Sequence, residues 1–280
     1  MTYVRQSTVL ITGGASGIGK LMGRKCLQQG ATRLLIWDVN PIGLQETAQE
    51  LGAPGFEVHT YQVNVGDAQQ VKQTAEQVIA QFGAPNILIN NAGIVVGKPF
   101  AEHSMEEIER TLQVNVLGVM AVTNAFLSAM LARGQGHVVN IASAAGLLPN
   151  PGMSVYAGSK WAVLGWSESL RLELEQAGKA MRVTTVTPSY IDTGMFAGVK
   201  APLLTPILQP EAIADAILQA VEQNRIILRK PFIVHLLPLL RGILPTRVFD
   251  MVAGRWFGVY TSMNDFTGRP AAEQKPVNAK

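Results

Sequence analysis

The chain has 280 residues, of which 48% are hydrophobic and 15% are charged. It can bury a full core, and its length is compatible with one domain or two. A single cysteine excludes an intrachain disulfide framework, and a net charge of +3 with no long basic run ahead of the C-terminal region argues against nucleic acid as a partner.

A glycine-rich turn lies between the first predicted strand, residues 8–11, and a predicted helix whose apolar residues recur at helical spacing from Ile18 onward. The turn reads Thr12-Gly13-Gly14-Ala15-Ser16-Gly17-Ile18-Gly19. At such a junction, glycines let the backbone approach a pyrophosphate, and the first helical N–H groups attract an anion. The turn therefore predicts a dinucleotide site. Its spacing is Gly-x-x-x-Gly-x-Gly, and taken alone it also fits an ordinary glycine-rich turn.

Asp38 closes the second predicted strand, residues 33–37, about twenty residues beyond the turn. An acid at this distance can hydrogen-bond a ribose 2′-hydroxyl, and its charge would repel a 2′-phosphate. NADP would need a basic partner nearby, and the corresponding positions hold Ser16 and Val39. We therefore expect NAD rather than NADP. The alternative is that Asp38 only forms a turn before Asn40.

The remaining predicted elements alternate between strands and helices without a linker or an internal repeat. The strands are residues 57–62, 87–89, 138–141 and 182–187, and the helices are residues 68–82, 105–132, 154–175 and 210–222. This alternation predicts one doubly wound α/β domain of the Rossmann type, with a parallel sheet and helices on both faces.

Tyr156 and Lys160 lie four residues apart on the helix that begins near Ser154, so they share one helical face. An ammonium group about 5 Å from a phenol, at an effective dielectric constant of about 20, would stabilise the phenolate by roughly 3 kcal/mol, or about two pKa units. Tyr156 could then exchange a proton with an alcohol or a carbonyl compound near neutral pH. Ser143 follows the strand at residues 138–141 and could hold the substrate oxygen beside the phenol.

Each of these residues also has a structural interpretation, as a packed tyrosine, a solvated lysine or a capping serine. As an ordered set with the glycine turn, however, they resemble the short-chain dehydrogenase/reductase family over residues 5–230. The resemblance implies that Asn115 completes a catalytic tetrad with Ser143, Tyr156 and Lys160, by holding a water that connects Lys160 to solvent.

The resemblance also assigns the cofactor contacts. Asn91-Ala92-Gly93 matches the family motif beside the adenosine ribose, and Pro188, Ile191 and Thr193 match the segment that positions the nicotinamide. Asn64-Val65 replaces the Asp-Val of many relatives, and Pro188-Ser189 replaces the usual Pro-Gly, where serine tolerates positive φ less well. The expected cofactor-binding residues are Gly13, Ser16, Gly17, Ile18, Gly19, Asp38, Asn64, Val65, Asn91, Ala92, Gly93, Tyr156, Lys160, Pro188, Ile191 and Thr193.

Two other enzyme classes lack support in the sequence. The four histidines are scattered without metal-ligand spacing, so we expect no metal and no zinc-dependent alcohol dehydrogenase mechanism. A Gly-x-Ser-x-Gly nucleophile elbow, which a serine hydrolase of the α/β type would need, is also missing.

Residues 231–270 form an apolar C-terminal extension that Pro238, Arg241 and Pro245 interrupt, so it contains no run of the roughly 20 apolar residues that span a bilayer. It resembles the tails of family members that act on retinoids, steroids and other lipid-like alcohols. Packing on the protein, as a wall of the substrate cleft or a subunit contact, is favoured over contact with a membrane interface. Residues 271–280 are expected to be a flexible tail.

The sequence therefore predicts an NAD-dependent oxidoreductase that interconverts a hydrophobic alcohol, preferably a secondary one, and its carbonyl compound. The alternatives are an NADPH-dependent carbonyl reductase and a catalytically silent nucleotide-binding regulatory protein. The helices at 105–132 and 156–175 are apolar around much of their circumference, which, with the family resemblance, predicts a homodimer or homotetramer. The N-terminal residues lack the apolar region of a signal peptide. We expect a cytoplasmic protein with optional peripheral membrane association.

Overall fold

A computed structural model describes residues 2–53 and 55–269. Within them, seven parallel strands form one sheet in the order β3-β2-β1-β4-β5-β6-β7. Its strands are β1 Thr8–Thr12, β2 Arg33–Asp38, β3 Glu57–Gln62, β4 Ile87–Asn90, β5 Gln135–Ile141, β6 Ala180–Pro188 and β7 Ile227–Lys230. The strand order reverses between β1 and β4, and in open α/β sheets such a reversal opens a ligand crevice at the carboxyl ends of the strands. This confirms the predicted doubly wound domain.

Helices cover both faces of the sheet. They are α1 Gly17–Gln28, α2 Pro41–Leu51, α3 Ala68–Phe82, α4 Met105–Leu112, α5 Val119–Arg133, α6 Ser154–Gln176 and α7 Pro210–Glu222. A π-helical turn, Gln113–Gly118, joins α4 to α5. The C-terminal extension adds a 3₁₀ turn Phe232–His235, the short helices α8 Leu237–Ile243 and α9 Thr246–Asp250, and a second π-helical turn Met251–Trp256.

The central strands β1, β2 and β4 have short, mostly apolar sequences, as parallel strands buried on both faces require, whereas the edge strand β3 is more polar and only partly buried. Alternate side chains therefore enter two different cores. Ile11, Ile36 and Ile89 pack on one face, in the cluster that contains residues of α1 and α7. Leu10 and Leu88 pack on the other face, in the cluster that contains residues of α3 and α5. Because both faces of the sheet pack in these cores, the positions of the strand ends, and therefore of the crevice, are fixed.

The lone cysteine, Cys26, is fully buried on α1 within the first of these cores. Burial raises the pKa of its thiol to about 12, and the nearby Glu222 carboxylate acts in the same direction. Cys26 is therefore a core residue with an unreactive thiol in the native state.

Three elements differ from the sequence expectations. Helix α2 was not predicted, because Asn40-Pro41 fits a turn; in the structure Asn40 caps the helix and accepts hydrogen bonds from the N–H groups of Ile42 and Gly43. The helix expected over 105–132 contains the π-helical turn. Strand β7 was also missed, since it is only four residues long and leads directly into the apolar extension.

The continuous helical run Met105–Arg133 is, among the described residues, the one helix long and apolar enough to cross a membrane by length and composition. That is weak evidence for a span, because core helices meet the same test. Here Val122, Phe126 and Met130 are fully buried against the sheet. One face of the run therefore packs against the sheet.

We expect His137 on β5 to make the fold acid-sensitive. The ring is fully buried, its Nε2 lies 2.8 Å from Thr184 Oγ1, and burial together with Arg182 lowers its pKa to about 3. Below the unfolded pKa of about 6.5, the unfolded chain binds a proton that the native chain excludes. The free energy of unfolding should therefore fall from about pH 6.5 towards pH 3, by roughly 5 kcal/mol at most from this group.

Urea unfolding between pH 7 and pH 4 measures this effect. His137→Gln should flatten the pH dependence, whereas a change of the exposed His235 to Gln should leave it as in the wild type. An equally steep loss of stability in His137→Gln would contradict the assignment.

Candidate active site

The glycine turn connects β1 to α1 at the crevice. Gly13 and Gly17 have φ angles of +65° and +53°, which favour glycine, and a Cβ on Gly19 would overlap the backbone of Gly13. Ser16 caps α1 without a side-chain hydrogen bond, and the first turn of the helix has no acidic residue. The first N–H groups of α1 are thus open to an anion, and the turn fits the pyrophosphate of a dinucleotide.

Asp38 lies at the end of β2 beside this turn. One carboxylate oxygen accepts a hydrogen bond from the Ala15 N–H at 3.0 Å, and the other accepts one from the Asn40 N–H at 3.0 Å. Asp38 therefore does form the turn that was weighed as an alternative. A carboxylate has about four acceptor sites, so these two bonds leave capacity for a ribose hydroxyl.

The residues expected around the adenosine half have structural roles of their own. The Asn91 side chain donates to the carbonyl oxygens of Thr12 and Gly13, at 3.1 and 3.0 Å, and thereby ties the loop after β4 to the glycine turn. The Ala92 N–H donates to Thr12 Oγ1. Asn64 Oδ1 accepts from the Gly66 N–H in a tight turn, and Val65 is buried.

Tyr156 and Lys160 lie together on α6, as the i, i+4 spacing predicted. The Lys160 Nζ atom is 5.6 Å from the centroid of the Tyr156 ring and donates a hydrogen bond to the Ile141 carbonyl at 2.9 Å. Gly93 faces the same ammonium group, because a Cβ on it would lie 3.6 Å from Nζ. An ammonium has three donors, so within the described part of the chain two remain for a ligand such as a ribose.

The pKa of Tyr156 differs from the sequence expectation. Burial raises it to about 12, and the hydrogen bond with the Ser143 hydroxyl only partly opposes this shift. Burial also lowers the pKa of Lys160 to about 8. The expected acidification by Lys160 was estimated for a partly hydrated pair, and it omitted the cost of removing both groups from water.

Asn115 belongs to the π-helical turn between α4 and α5, a kind of turn that is frequent at functional sites. Its side chain accepts from the Ile94 N–H at 2.8 Å and donates to the Ile94 carbonyl at 2.9 Å and to Ser159 Oγ at 3.1 Å. Asn115 thus clamps the loop after β4 onto α6 one residue before Lys160. The proton relay that the family resemblance assigns to it stays a prediction.

Ser143 follows the end of β5 by two residues and is the N-cap of the 3₁₀ turn Ala144–Gly146. Its hydroxyl oxygen accepts from the Ala145 N–H at 3.2 Å, so the capping interpretation holds as well. The same hydroxyl interacts with the Tyr156 phenol. One side chain therefore both shapes the loop and meets the proposed acid–base group.

The segment after β6 crosses the crevice towards the glycine turn. Ile191 is buried and forms a bridge with Leu208, and the Thr193 side chain would lie 3.6 Å from a Cβ on Gly17. Thus Ile191 and Thr193 approach the turn from the opposite side, in continuation of Pro188 on β6. Among the described residues Ser189 is not one of those with positive φ, so the replacement of glycine by serine causes no strain.

An apolar cavity of about 90 Å³ opens beside Ser143. Its walls come from the loop after Ser143, from the segment 189–205 and from the C-terminal extension. Ile233, Leu237, Leu240 and Phe249 belong to the extension and line the cavity. The extension therefore packs on the domain and lines this cavity, and its role as a wall of the substrate cleft stays a prediction.

A polar cluster in the cavity was not predicted from the sequence. The Asn150 amide, the Tyr190 hydroxyl and the Ser262 hydroxyl lie 2.8 to 3.2 Å apart. They come from three segments far apart in the chain, so no local pattern could reveal them. The cluster joins the loops around the catalytic groups to the extension.

We expect Gly198→Ala to disturb the site more than Gly194→Ala. Both glycines have positive φ, +83° and +77°, so both alanine variants carry a similar backbone strain. A Cβ on Gly198 would also overlap the carbonyl of Asp265 in the extension, whereas a Cβ on Gly194 meets nothing within 4 Å. Thermal unfolding and substrate KM measure the difference. Equal effects of the two changes would contradict the contact between this loop and the extension.

The sequence is similar to one protein family over most of its length. The family model described as short chain dehydrogenase matches residues 7–203. Epidermal retinol dehydrogenase 2 of Mus musculus is 38% identical over 93% of this chain and 85% of its own length. Estradiol 17-beta-dehydrogenase 11 of Rattus norvegicus is 34% identical over 88% of this chain and 83% of its own.

A solved short chain dehydrogenase/reductase of Burkholderia phymatum, in complex with NAD, superposes with a TM-score of 0.77. It is 26% identical, and the match covers 90% of this chain and 96% of that one. The family model thus spans well over half of the sequence. The chain belongs to the short-chain dehydrogenase family of oxidoreductases, in the subgroup with similarity to retinol and hydroxysteroid dehydrogenases.

Proposed function

We propose that this protein is an NAD-dependent dehydrogenase that interconverts a hydrophobic secondary alcohol and its ketone. The observation that carries the proposal is the meeting of Ser143, Tyr156 and Lys160 between a glycine turn suited to a dinucleotide and a cavity with apolar walls. The nicotinamide, when bound, would supply the hydride acceptor or donor. The protein supplies binding, orientation and proton transfer.

In this mechanism Ser143 holds the substrate oxygen and the Tyr156 hydroxyl exchanges a proton with it. Because burial raises the pKa of Tyr156 to about 12, the phenol is protonated at neutral pH and is ready to donate to a carbonyl. In the oxidative direction the nearby Lys160 ammonium, with a pKa of about 8, stabilises the developing phenolate. The hydrogen bonds of Asn115 to Ile94 and Ser159 hold the loop at Ile94 against α6, beside Lys160.

For the cofactor we propose NAD over NADP. Asp38 directs a carboxylate to the end of the glycine turn, where a ribose would be bound and a 2′-phosphate repelled. An NADPH-dependent carbonyl reductase is the alternative, and the relative affinity for the two dinucleotides distinguishes them. A catalytically silent nucleotide-binding protein is the second alternative, which the intact Asn115, Ser143, Tyr156 and Lys160 disfavour.

The apolar walls of the cavity support a steroid, a retinoid or another lipid-like alcohol as substrate. A charged group buried there would lack a compensating partner, since the polar groups of the wall are hydroxyls and one amide. The relatives named for retinol and estradiol support the same class. The test is a screen of retinol, steroids and medium-to-long alcohols, with NADH formation followed by absorbance. Turnover of small polar alcohols alone would contradict the proposal.

We also propose that the protein is a homodimer or homotetramer. Helices α4 to α6 and their π-helical turn expose large apolar side chains, among them Leu117 at 58% and Trp161 at 41% exposure. Such side chains fit subunit contacts better than solvent. Sedimentation equilibrium is the test, and a monomer at micromolar concentration would contradict it.

Peripheral membrane contact of an otherwise cytoplasmic protein is the last part of the proposal. Phe232, Leu236, Leu239 and Ile243 repeat at helical spacing and are exposed, whereas their neighbours Ile233, Leu237 and Leu240 line the cavity. Arginines flank this outer apolar stripe at 241, 247 and 255. One helical segment would thus meet an anionic lipid surface on one side and the substrate on the other.

Flotation with anionic liposomes tests this contact. Recruitment should fall in Leu239→Asp, while Ile226→Asp, which changes an exposed isoleucine directly before β7, should float as the wild type does. A lack of recruitment at both low and physiological salt would reject the contact.

A further inference from the structure

The end of the C-terminal extension crosses the mouth of the crevice. We call residues 263–269 the C-terminal strap. The N–H groups of Thr267 and Gly268 donate to the Ala197 carbonyl at 2.9 and 3.3 Å, which ties the strap to the loop after β6. Asp265 forms an ion pair with Lys200 at 2.6 Å on the same loop. The strap therefore has a defined path over the substrate loop.

The other side of the strap packs on the loop after β4. The Phe266 ring lies against Gly97 so closely that a Cβ there would overlap it. Met263 is buried, and Met263 and Phe266 share an apolar cluster with Tyr156 and Phe196. The strap is thus held between the two loops that border the cofactor crevice, directly above the catalytic tyrosine.

This path ends at the glycine turn. The Arg269 Nη2 atom would lie 3.7 Å from a Cβ on Gly17, beside the Thr193 side chain at 3.6 Å. Gly17 is the first residue of α1, and the first turn of that helix contains no acidic side chain. A guanidinium group is thereby brought to the point where the backbone N–H groups face an anion.

We propose that Arg269 is a cofactor-binding residue, which the C-terminal strap delivers to the pyrophosphate of the dinucleotide. This inference rests on the proposed NAD-dependent function. Guanidinium groups suit phosphate because their planar fork can donate two parallel hydrogen bonds to its oxygens. Arg269 would close the site opposite the α1 N–H groups, so that the extension contributes to both the substrate wall and the cofactor site.

The experiment is calorimetric titration of the wild type, Arg269→Gln and Arg269→Lys with NAD, ADP-ribose and adenosine. NAD and ADP-ribose contain the pyrophosphate, whereas adenosine does not. We expect Arg269→Gln to lower the affinity for NAD and ADP-ribose by about tenfold or more and to leave the affinity for adenosine unchanged. Arg269→Lys should lose less affinity. The control is Arg255→Gln, which changes an exposed arginine of the same extension and should bind all three as the wild type does.

The outcomes separate this inference from the function on which it rests. If the wild type binds NAD and Arg269→Gln binds it equally well, the inference is wrong and the proposed function stands. An equal loss of affinity for adenosine would also overturn the inference, because the strap would then support the site by packing and not through the pyrophosphate. A wild type that binds no NAD would overturn both. Thermal unfolding of each variant verifies that it is folded.

Discussion

Tyr156→Phe should lower kcat by about 10²- to 10⁴-fold, the usual contribution of a positioned acid–base group, while NAD binding changes little. The change removes one hydroxyl from a buried side chain and retains the ring that packs against Phe196, with the ring centroids 6.0 Å apart. The fold and the dinucleotide site should therefore survive. Single-turnover measurement of NADH formation, with NAD affinity measured by calorimetry, tests both parts.

Tyr190→Phe is the matched control. Tyr190 is a partly buried phenol that lines the cavity beside Ser143, with its ring centroid 5.2 Å from that of Phe196, and its hydroxyl bonds to Ser262 rather than to Ser143. Its loss should cost less than about tenfold, chiefly in KM, because it orders the wall and does not transfer a proton. Similar losses in both variants would mean that packing, and not proton transfer, explains the effect at Tyr156.

Asp38→Asn should lower the preference for NAD over NADP by about tenfold or more. The amide removes the charge that repels a 2′-phosphate, while its oxygen can still accept a hydrogen bond from Ala15 or Asn40. The wild type should bind NAD more tightly than NADP. In the variant, the affinity for NADP should rise, whereas the affinity for NAD should change less. Calorimetric titration with both dinucleotides measures the ratio.

Asp67→Asn controls for the loss of one carboxylate near the same edge of the sheet. Asp67 caps α3 through the N–H groups of Gln69 and Gln70, and asparagine is an equally good N-cap, so its replacement should change neither the fold nor the cofactor ratio. Tighter binding of NADP than of NAD by the wild type would overturn the assignment of Asp38.

The sequence predicted the elements whose signals are local. The β1–turn–α1 unit follows from an apolar strand, closely spaced glycines and a helical period, and the pairing of Tyr156 with Lys160 follows from i, i+4 geometry alone. Helix α2 was missed because Asn40 and Pro41 are equally good turn and helix-start residues. In that case only tertiary packing decides between the two.

The rest depended on contacts between distant segments. The cluster of Asn150, Tyr190 and Ser262 joins residues up to 112 positions apart, and the path of the strap over Ala197 leaves no periodic pattern. The raised pKa of Tyr156 could not be predicted either. It reflects how completely the two loops and the strap exclude water from the phenol.

The rate at which the buried Cys26 is alkylated would measure how often the nucleotide-binding end of the molecule opens. Its thiol is shielded and protonated in the native state, so an alkylating reagent can modify it only when α1 detaches from the sheet. Because α1 begins at Gly17, any ligand held by its first turn should slow alkylation in proportion to ligand occupancy. Mass spectrometry of alkylated Cys26 would thus measure how often α1 detaches from the sheet, without an added label.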